Sequence, residues 1–190
     1  ESVLIPRPET ELVVEKALEE SKSMLEAKGN INIIEIGTGS GAVAISLYAE
    51  LSEKLPDKKK GIKLTATDIS SKAIETAKKN AENILPDGDA GAIDLIKCDI
   101  FPQEDPGWFS DNKGKIDIVV SNPPYVTRAG FKKLPREIKE YEPSEALLAG
   151  DTGLESYRKI LTRIKDIMAP GACIIFETDP VTGDGLVKLV

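Results

Sequence analysis

Six apolar-rich residues, Ile31–Ile36, are followed at once by Gly37-Thr-Gly-Ser-Gly41. A run this short, bounded by glycines, reads as a buried strand. Ala42–Leu55 carries Val43, Ile45, Leu47 and Leu51 and reads as a helix opening directly from the turn. Glycines let the backbone turn tightly and leave no Cβ between it and a ligand. The helix start that follows offers unpaired N–H groups and the positive end of a dipole. Strand, glycine turn and helix in this order suit a diphosphate or the carboxylate of an amino-acid-like cofactor. The spacing also satisfies the loose dinucleotide pattern G-x-G-x-x-A, ending at Ala42. The turn by itself says nucleotide-like cofactor and no more.

The same alternation runs along the chain. A helix is predicted over Glu9–Lys28 and stopped by Gly29, and Pro56–Gly61, with three consecutive lysines, reads as a solvated loop. Lys63–Thr67 is a second strand ending in Asp68; Ser70 or Ser71 caps a helix through Asn83 with Ile74, Ala77 and Ala81 on one face. Ala92–Lys97 is a third strand and Ile116–Ser121 a fourth, apolar enough to be central and covered on both faces. A helix over Leu154–Met168 is stopped by Pro170-Gly171, and Ala172–Phe176 is a fifth strand. Strand and helix in alternation predict an α/β fold: a doubly wound, mostly parallel, Rossmann-like sheet with helices on both faces.

Composition narrows the chemistry. The 190 residues contain no histidine, which removes Ser-His-Asp triads, Cys-His dyads and His-ligated zinc. A net charge of −7 argues against affinity built on blanketing a phosphate backbone, so no direct nucleic-acid partner is expected. Cys98 and Cys173 show no metal spacing and read as buried thiols in a reducing compartment, with a single bridge between them left open. No run is long enough to span a bilayer, and no membrane role is expected.

Ligands in such sheets bind beyond the carboxyl ends of the strands. Asp68, with Ile69 beside it, can accept from both ribose hydroxyls of a nucleoside, or simply start a helix. Asp99 can accept from an adenine amino group while Ile100 and Phe101 cover the ring. Together with Gly37, Thr38, Gly39, Ser40 and Gly41, these positions point to an adenosine-containing cofactor. After the fourth strand stands Asn122-Pro123-Pro124-Tyr125. Prolines terminate a strand because they lack its donor, but that does not account for the flanking amide and aromatic. Methyl transfer to a planar NH₂ accounts for all four. The Asn122 side-chain oxygen and the Pro123 carbonyl each accept one N–H, which orients the nitrogen and favours the positive charge that develops on it. The prolines stiffen the segment and Tyr125 packs on the flat group. No histidine base is required, because an alkylated amide nitrogen loses its proton to water.

Gly37–Gly41, Asp68 and Asn122–Tyr125 resemble S-adenosylmethionine-dependent methyltransferases that modify planar nitrogens. Leu4-Ile-Pro-Arg-Pro-Glu-Thr-Glu11, Tyr141-Glu-Pro-Ser-Glu-Ala-Leu-Leu148 and Asp151-x-Gly153-Leu154 narrow the resemblance to the HemK/PrmC type, the release factor glutamine methyltransferases, over essentially the whole chain. The resemblance implies methylation of the glutamine amide in the Gly-Gly-Gln loop of a peptide-chain release factor. Gly37–Gly41, Asp68, Ile69, Asp99 and Ile100 would hold S-adenosylmethionine; Asn122 would face both cofactor and substrate; Pro123, Pro124 and Tyr125 would line the glutamine pocket. Arg7 and Glu9 lie in a segment that packs near the cofactor cleft in this family, and a structural salt bridge is the expected role. Glu142-Pro143 would belong to a loop beside the substrate opening.

The family usually has a small helical domain before the Pro-Arg-Pro segment and two strands after the last helix. Residues 1–190 are therefore read as a methyltransferase domain lacking both, with cut ends at Glu1 and Leu186–Val190. The stretch Glu177–Gly183 also departs from relatives that carry glutamine before the glycine. The expected compartment is the cytoplasm, with an organelle left open. Two competing readings are an adenine or guanine amino-group methylase, which shares Asn-Pro-Pro-Tyr, and a nicotinamide oxidoreductase, which leaves that tetrapeptide unexplained. A non-enzymatic cofactor-binding subunit is a third.

Overall fold

The computed structural model of the protein describes residues 3–189, so the end-residue readings at Glu1 and Val190 lie outside the described residues. Helix α1 (Pro8–Lys28) starts with proline in its first turn and ends on Gly29, whose φ of 77° puts it in the left-handed region with its N–H on the Leu25 carbonyl. Strand β1 (Ile31–Ile36), helix α2 (Ala42–Lys54), strand β2 (Ile62–Asp68) and helix α3 (Ser71–Ile84) follow as expected. Ser70 is the cap, accepting from the Ala73 amide. Ala73, Ala77 and Ala81 form the buried face of α3, and Ile74 lies at its half-buried margin.

Strand β3 (Ile93–Lys97), helix α4 (Pro106–Asn112) and strand β4 (Ile116–Ser121) come next. A two-strand ribbon, β5 (Val126–Thr127) with β6 (Leu148–Gly150), brackets short helices α5 (Arg128–Lys133) and α6 (Arg136–Tyr141). Helix α7 (Glu155–Arg163), strand β7 (Met168–Phe176) and helix α8 (Pro180–Val187) complete the chain.

The main sheet has the order β3-β2-β1-β4-β7, and every pairing in it is parallel. Strand order reverses between β1 and β4, which makes their carboxyl ends the place for a ligand. Neighbouring residues of β1 face opposite layers. Ile33 joins Leu64, Ile118 and Val120 beneath α1 and α2, while Ile34 and Ile36 join Val119, Ile160 and Ile164 on the α7 side. All six residues of β4 are buried, as expected of a central strand.

Several local expectations are corrected. Pro56–Gly61 is a 3-10 helix, and two of its lysines are anchored. Lys58 Nζ donates to the Leu25 and Glu26 carbonyls at the end of α1, where a helix dipole favours a cation, and Lys59 pairs with Asp89. The predicted helix over Leu154–Met168 ends at Arg163 in a 3-10 turn, Ile164–Asp166, and Met168 already belongs to β7. Pro170-Gly171 therefore stops no helix. It lies within β7, where the register against β4 shifts and Gly171 takes φ 77°. Cys98 and Cys173 are free and only half-buried. Among the described residues no helix is long and apolar enough to cross a membrane.

Ile118, with no exposed surface, packs at the centre of the larger layer. Ile118→Ala is expected to lower stability in urea by about 2–5 kcal/mol at unchanged m-value; a loss under about 1 kcal/mol would contradict this account of the core.

Candidate functional site

Parallel register sets the strand ends level. Ile36 stands opposite Thr67 on β2 and opposite Ser121 on β4. The residues that follow each strand consequently surround one cavity of about 620 Å³, a size suited to a nucleoside-sized ligand. Gly37, Thr38, Gly39 and Ser40 line it after β1, and Asp68 and Ile69 after β2. Asp99 and Ile100 line it after β3, and Asn122, Pro123 and Pro124 after β4. Eleven of the thirteen residues singled out from sequence meet there. Gly41 and Tyr125 do not.

Gly41 serves packing instead. At φ 82°, a Cβ there would come within 2.9 Å of Ile45 Cδ1 and 3.0 Å of Ala77 Cβ, so this glycine lets α2 approach α3. Tyr125 is half-buried, and burial pushes its phenol above its ordinary value, with Glu177 and Asp179 adding to the shift.

The glycine turn is rigid because its amides are largely spent within the protein. Gly37 and Thr38 N–H both donate to the Thr67 carbonyl, Gly39 N–H to Asp68 Oδ2 at 2.9 Å, and Gly41 N–H to the Thr38 carbonyl. This corrects the picture of a turn with open donors. Asp68 accepts at its other oxygen from the Ser70 N–H at 2.8 Å. Each Asp68 oxygen keeps further acceptor capacity, since a carboxylate offers about four lone-pair sites. Asp99 is tied by Arg163 Nη1 at 2.8 Å and Lys159 Nζ at 2.7 Å, so α7 holds its carboxylate.

Two features went unassigned in the sequence. Glu35 is an acid inside the apolar run of β1, and it is 3% exposed. Thr38 Oγ1 donates to Glu35 Oε2 at 2.6 Å and the Ala44 N–H donates to the same oxygen at 3.1 Å, which locks the turn to the start of α2. Burial pushes its pKa up to about 7 from an ordinary value near 4.5, against the pull of those two donors. A lone acid in a buried strand was itself the signal, because such a group must find partners. Ile100 has φ 73°, a conformation that costs a β-branched residue about 1–3 kcal/mol. The Thr67 hydroxyl holds it there by donating to the Ile100 carbonyl at 2.6 Å. Ile69, also on the wall, is 65% exposed.

Two distant segments complete the lining. Leu4, Pro6 and Thr10 come from the N-terminal stretch, and Pro143 and Ala146 from the segment before β6. Arg7 Nη2 joins them by pairing with Glu142 Oε1 at 2.6 Å, the structural role expected of Arg7. The Glu142 side chain is only 6% exposed, and its other oxygen has no partner among the described residues. Glu9 is exposed. Thr10 Oγ1 also donates to buried Glu177 at 2.7 Å, while the Glu177 N–H donates to the Ser121 carbonyl. The N-terminal stretch is thereby bonded to the end of β7, next to the strand that carries Asn122.

Comparison with known proteins agrees with this geometry. Residues 6–83 match the model of the CheR methyltransferase, SAM binding domain. A protein of Chlorobaculum tepidum named release factor glutamine methyltransferase is 37% identical over 179 residues, covering 93% of this chain and 55% of that protein. Proteins of the same name from Rhodopirellula baltica and Flavobacterium psychrophilum are 34% and 37% identical over 95% and 100% of this chain, and 55% and 60% of theirs. The chain thus spans between half and three-fifths of the length of these relatives. Among solved structures, a SAM-dependent methyltransferase of Agrobacterium tumefaciens superposes with TM-score 0.57 at 16% identity, covering 97% of this chain and 49% of that one. A predicted O-methyltransferase from the same organism gives 0.53 at 17% identity, covering 84% and 59%. In fold the chain is a Rossmann-like α/β domain of the kind these methyltransferases have, and in sequence it is similar, over nearly its whole length, to proteins named release factor glutamine methyltransferase.

Proposed function

We propose that this chain is the methyl-transferring part of a protein that uses S-adenosylmethionine to methylate the glutamine side-chain nitrogen in the Gly-Gly-Gln loop of a peptide-chain release factor. The observation that carries the reading is that Asn122-Pro123-Pro124 lies on the same cavity wall system as the glycine turn and Asp68. A nicotinamide oxidoreductase needs no such amide beside its cofactor.

The residues present fit the cofactor. The cavity has the volume, Asp68 keeps acceptor capacity for ribose hydroxyls, and Ile69 and Ile100 offer apolar cover for an adenine. The strained backbone at Ile100 is the kind of feature that persists where a ligand site requires it. Asp99, held by Lys159 and Arg163, would accept from the adenine amino group. When bound, S-adenosylmethionine supplies an activated methyl group on a sulfonium. Asn122 Oδ1 and the Pro123 carbonyl accept the two N–H groups of the glutamine amide and hold its nitrogen in line, with Pro124 bounding the pocket. Tyr125, the last residue of the tetrapeptide, stands outside the cavity lining and would support the loop from there. The positive charge growing on the nitrogen is stabilised by the same two acceptors, and the proton then leaves to water. The compartment is a reducing one, the cytoplasm or an organelle with its own translation, in keeping with the two free thiols.

Labelled cofactor given to the full-length protein should place label on a release factor and none on DNA; label on DNA alone would overturn the reading. Asn122→Ala is expected to lower kcat on the order of a hundredfold or more, with a smaller effect on cofactor affinity. Asp68→Ala should act the other way round, weakening cofactor binding roughly tenfold to a hundredfold by loss of charge-assisted bonds. Calorimetric titration and steady-state kinetics separate the two.

Glu35 makes the ligand-free protein pH-sensitive. Its folded pKa of about 7 lies above its unfolded value near 4.5, so between these the native state binds more protons than the unfolded one. Its contribution to stability is complete below about pH 4.5 and is lost as pH rises to about 7. Urea melts across that window should show the native protein losing stability relative to Glu35→Gln, whose amide oxygen can still accept from Thr38 and Ala44. Parallel curves would contradict the assignment.

A further inference from the structure

The chain is acidic overall, yet from Arg128 to Lys139 its sign reverses. Through α5 and α6, Arg128, Lys132, Lys133, Arg136 and Lys139 outnumber the two acids, Glu137 and Glu140, and all five cations are exposed. Their placement gives the cluster meaning. The excursion that carries α5 and α6 leaves the cavity wall at Pro124 and rejoins it at Pro143, so both of its ends belong to the site. Its base is pinned by the pairing of Val126 with Leu148 and by the Arg7–Glu142 bridge. The result is a basic ledge whose two ends join the cavity lining that includes Asn122.

Local helix stability accounts for part of this. Lys132 and Lys133 occupy the last turn of α5, where the dipole favours cations. That does not explain Arg128 at the start of α5, Arg136 at the start of α6, or Tyr141 left 61% exposed at the far end. Arg128 and Arg136 have partners, Asp151 and Glu140, in exposed pairs of the kind worth little in water. Lys132, Lys133 and Lys139 have no ion-pair partner among the described residues. Arginine and tyrosine are residue types enriched where proteins dock, and the lysines beside them suit the polar, solvent-exposed rim of such a surface rather than its core.

We propose that this ledge docks an acidic patch on the protein whose glutamine enters the cavity, a proposal that rests on the methyl-transfer reading above. The charge distribution favours a protein over a nucleic acid. Outside the ledge the chain is more negative than its net −7, so an extended polyanion running past the ledge meets like charge, whereas a compact acidic patch needs the ledge alone. Charges at such a rim act on encounter and on salt dependence more than on the chemical step.

The test is steady-state methylation of an intact release factor by the full-length protein carrying Lys132→Glu and Lys133→Glu, at low and high salt. The expected result is a KM for the factor raised about tenfold at low salt, a gap that closes at high salt, and unchanged kcat and cofactor affinity. A Lys132→Gln, Lys133→Gln variant, which neutralises without reversing charge, should show a smaller rise in the same direction and guards against loss of fold in the first. Unchanged KM in both variants overturns the ledge while leaving glutamine methylation standing. Absence of methylation by the unsubstituted protein overturns the parent reading, and the ledge with it. Inhibition of the unsubstituted protein by a 20-nucleotide uridine RNA, lost in the variants while KM for the factor holds, overturns protein docking in favour of RNA.

Discussion

The site depends on one line of backbone pairing. With Ile36 opposite both Thr67 and Ser121, strands β1, β2 and β4 end at the same height, and Ser121 is matched to Phe176 on β7. A slip of one residue would send every apolar side chain of a strand to the wrong layer, so the core enforces the register. The chemistry at the strand ends inherits that precision. Hydroxyls reinforce it locally: Ser121 donates to the Ile36 carbonyl at 2.7 Å and Thr67 to that of Ile100. The first bonds two strands at the point where the cavity begins.

Around that line the cavity is organised in advance. Buried Glu35 ties the turn to α2, and Asp68 ties it to β2, so the turn is held from both sides. The cost of φ 73° at Ile100 is borne by Thr67 and by close packing, which is how strain survives at a ligand site. The Arg7–Glu142 bridge does the corresponding task for the two distant segments that complete the lining, joining residues 135 positions apart. An acid buried to this degree depends on the cation paired with it, so the bridge fixes the N-terminal stretch against the segment before β6.

The fold was legible wherever burial imposed a simple pattern. Apolar runs marked β1 and β4 to the residue, and Gly29 and Ser70 marked helix ends. Short helices without an apolar period escaped. For α4 and α8 a local signal existed: Asp105-Pro106 and Asp179-Pro180 each place a capping acid before a proline in the first turn, with Asp105 accepting from Gly107 and Trp108 and Asp179 from Thr182. Pro170-Gly171 misled because a proline-glycine pair punctuates a bulged edge strand as readily as it stops a helix. At the site, sequence located the strand ends but could not show how they are bonded. That Asp68 holds the turn, that Gly41 serves helix packing, and that Asp99 answers to α7 are consequences of tertiary contact.

The most direct test is a crystal structure of the full-length protein with S-adenosylhomocysteine and a Gly-Gly-Gln peptide. The account predicts the ribose on Asp68, the adenine between Ile69 and Ile100, and the cofactor sulfur facing a glutamine nitrogen gripped by Asn122 Oδ1 and the Pro123 carbonyl. A sulfur directed away from Asn122, or a glutamine bound elsewhere, would contradict it.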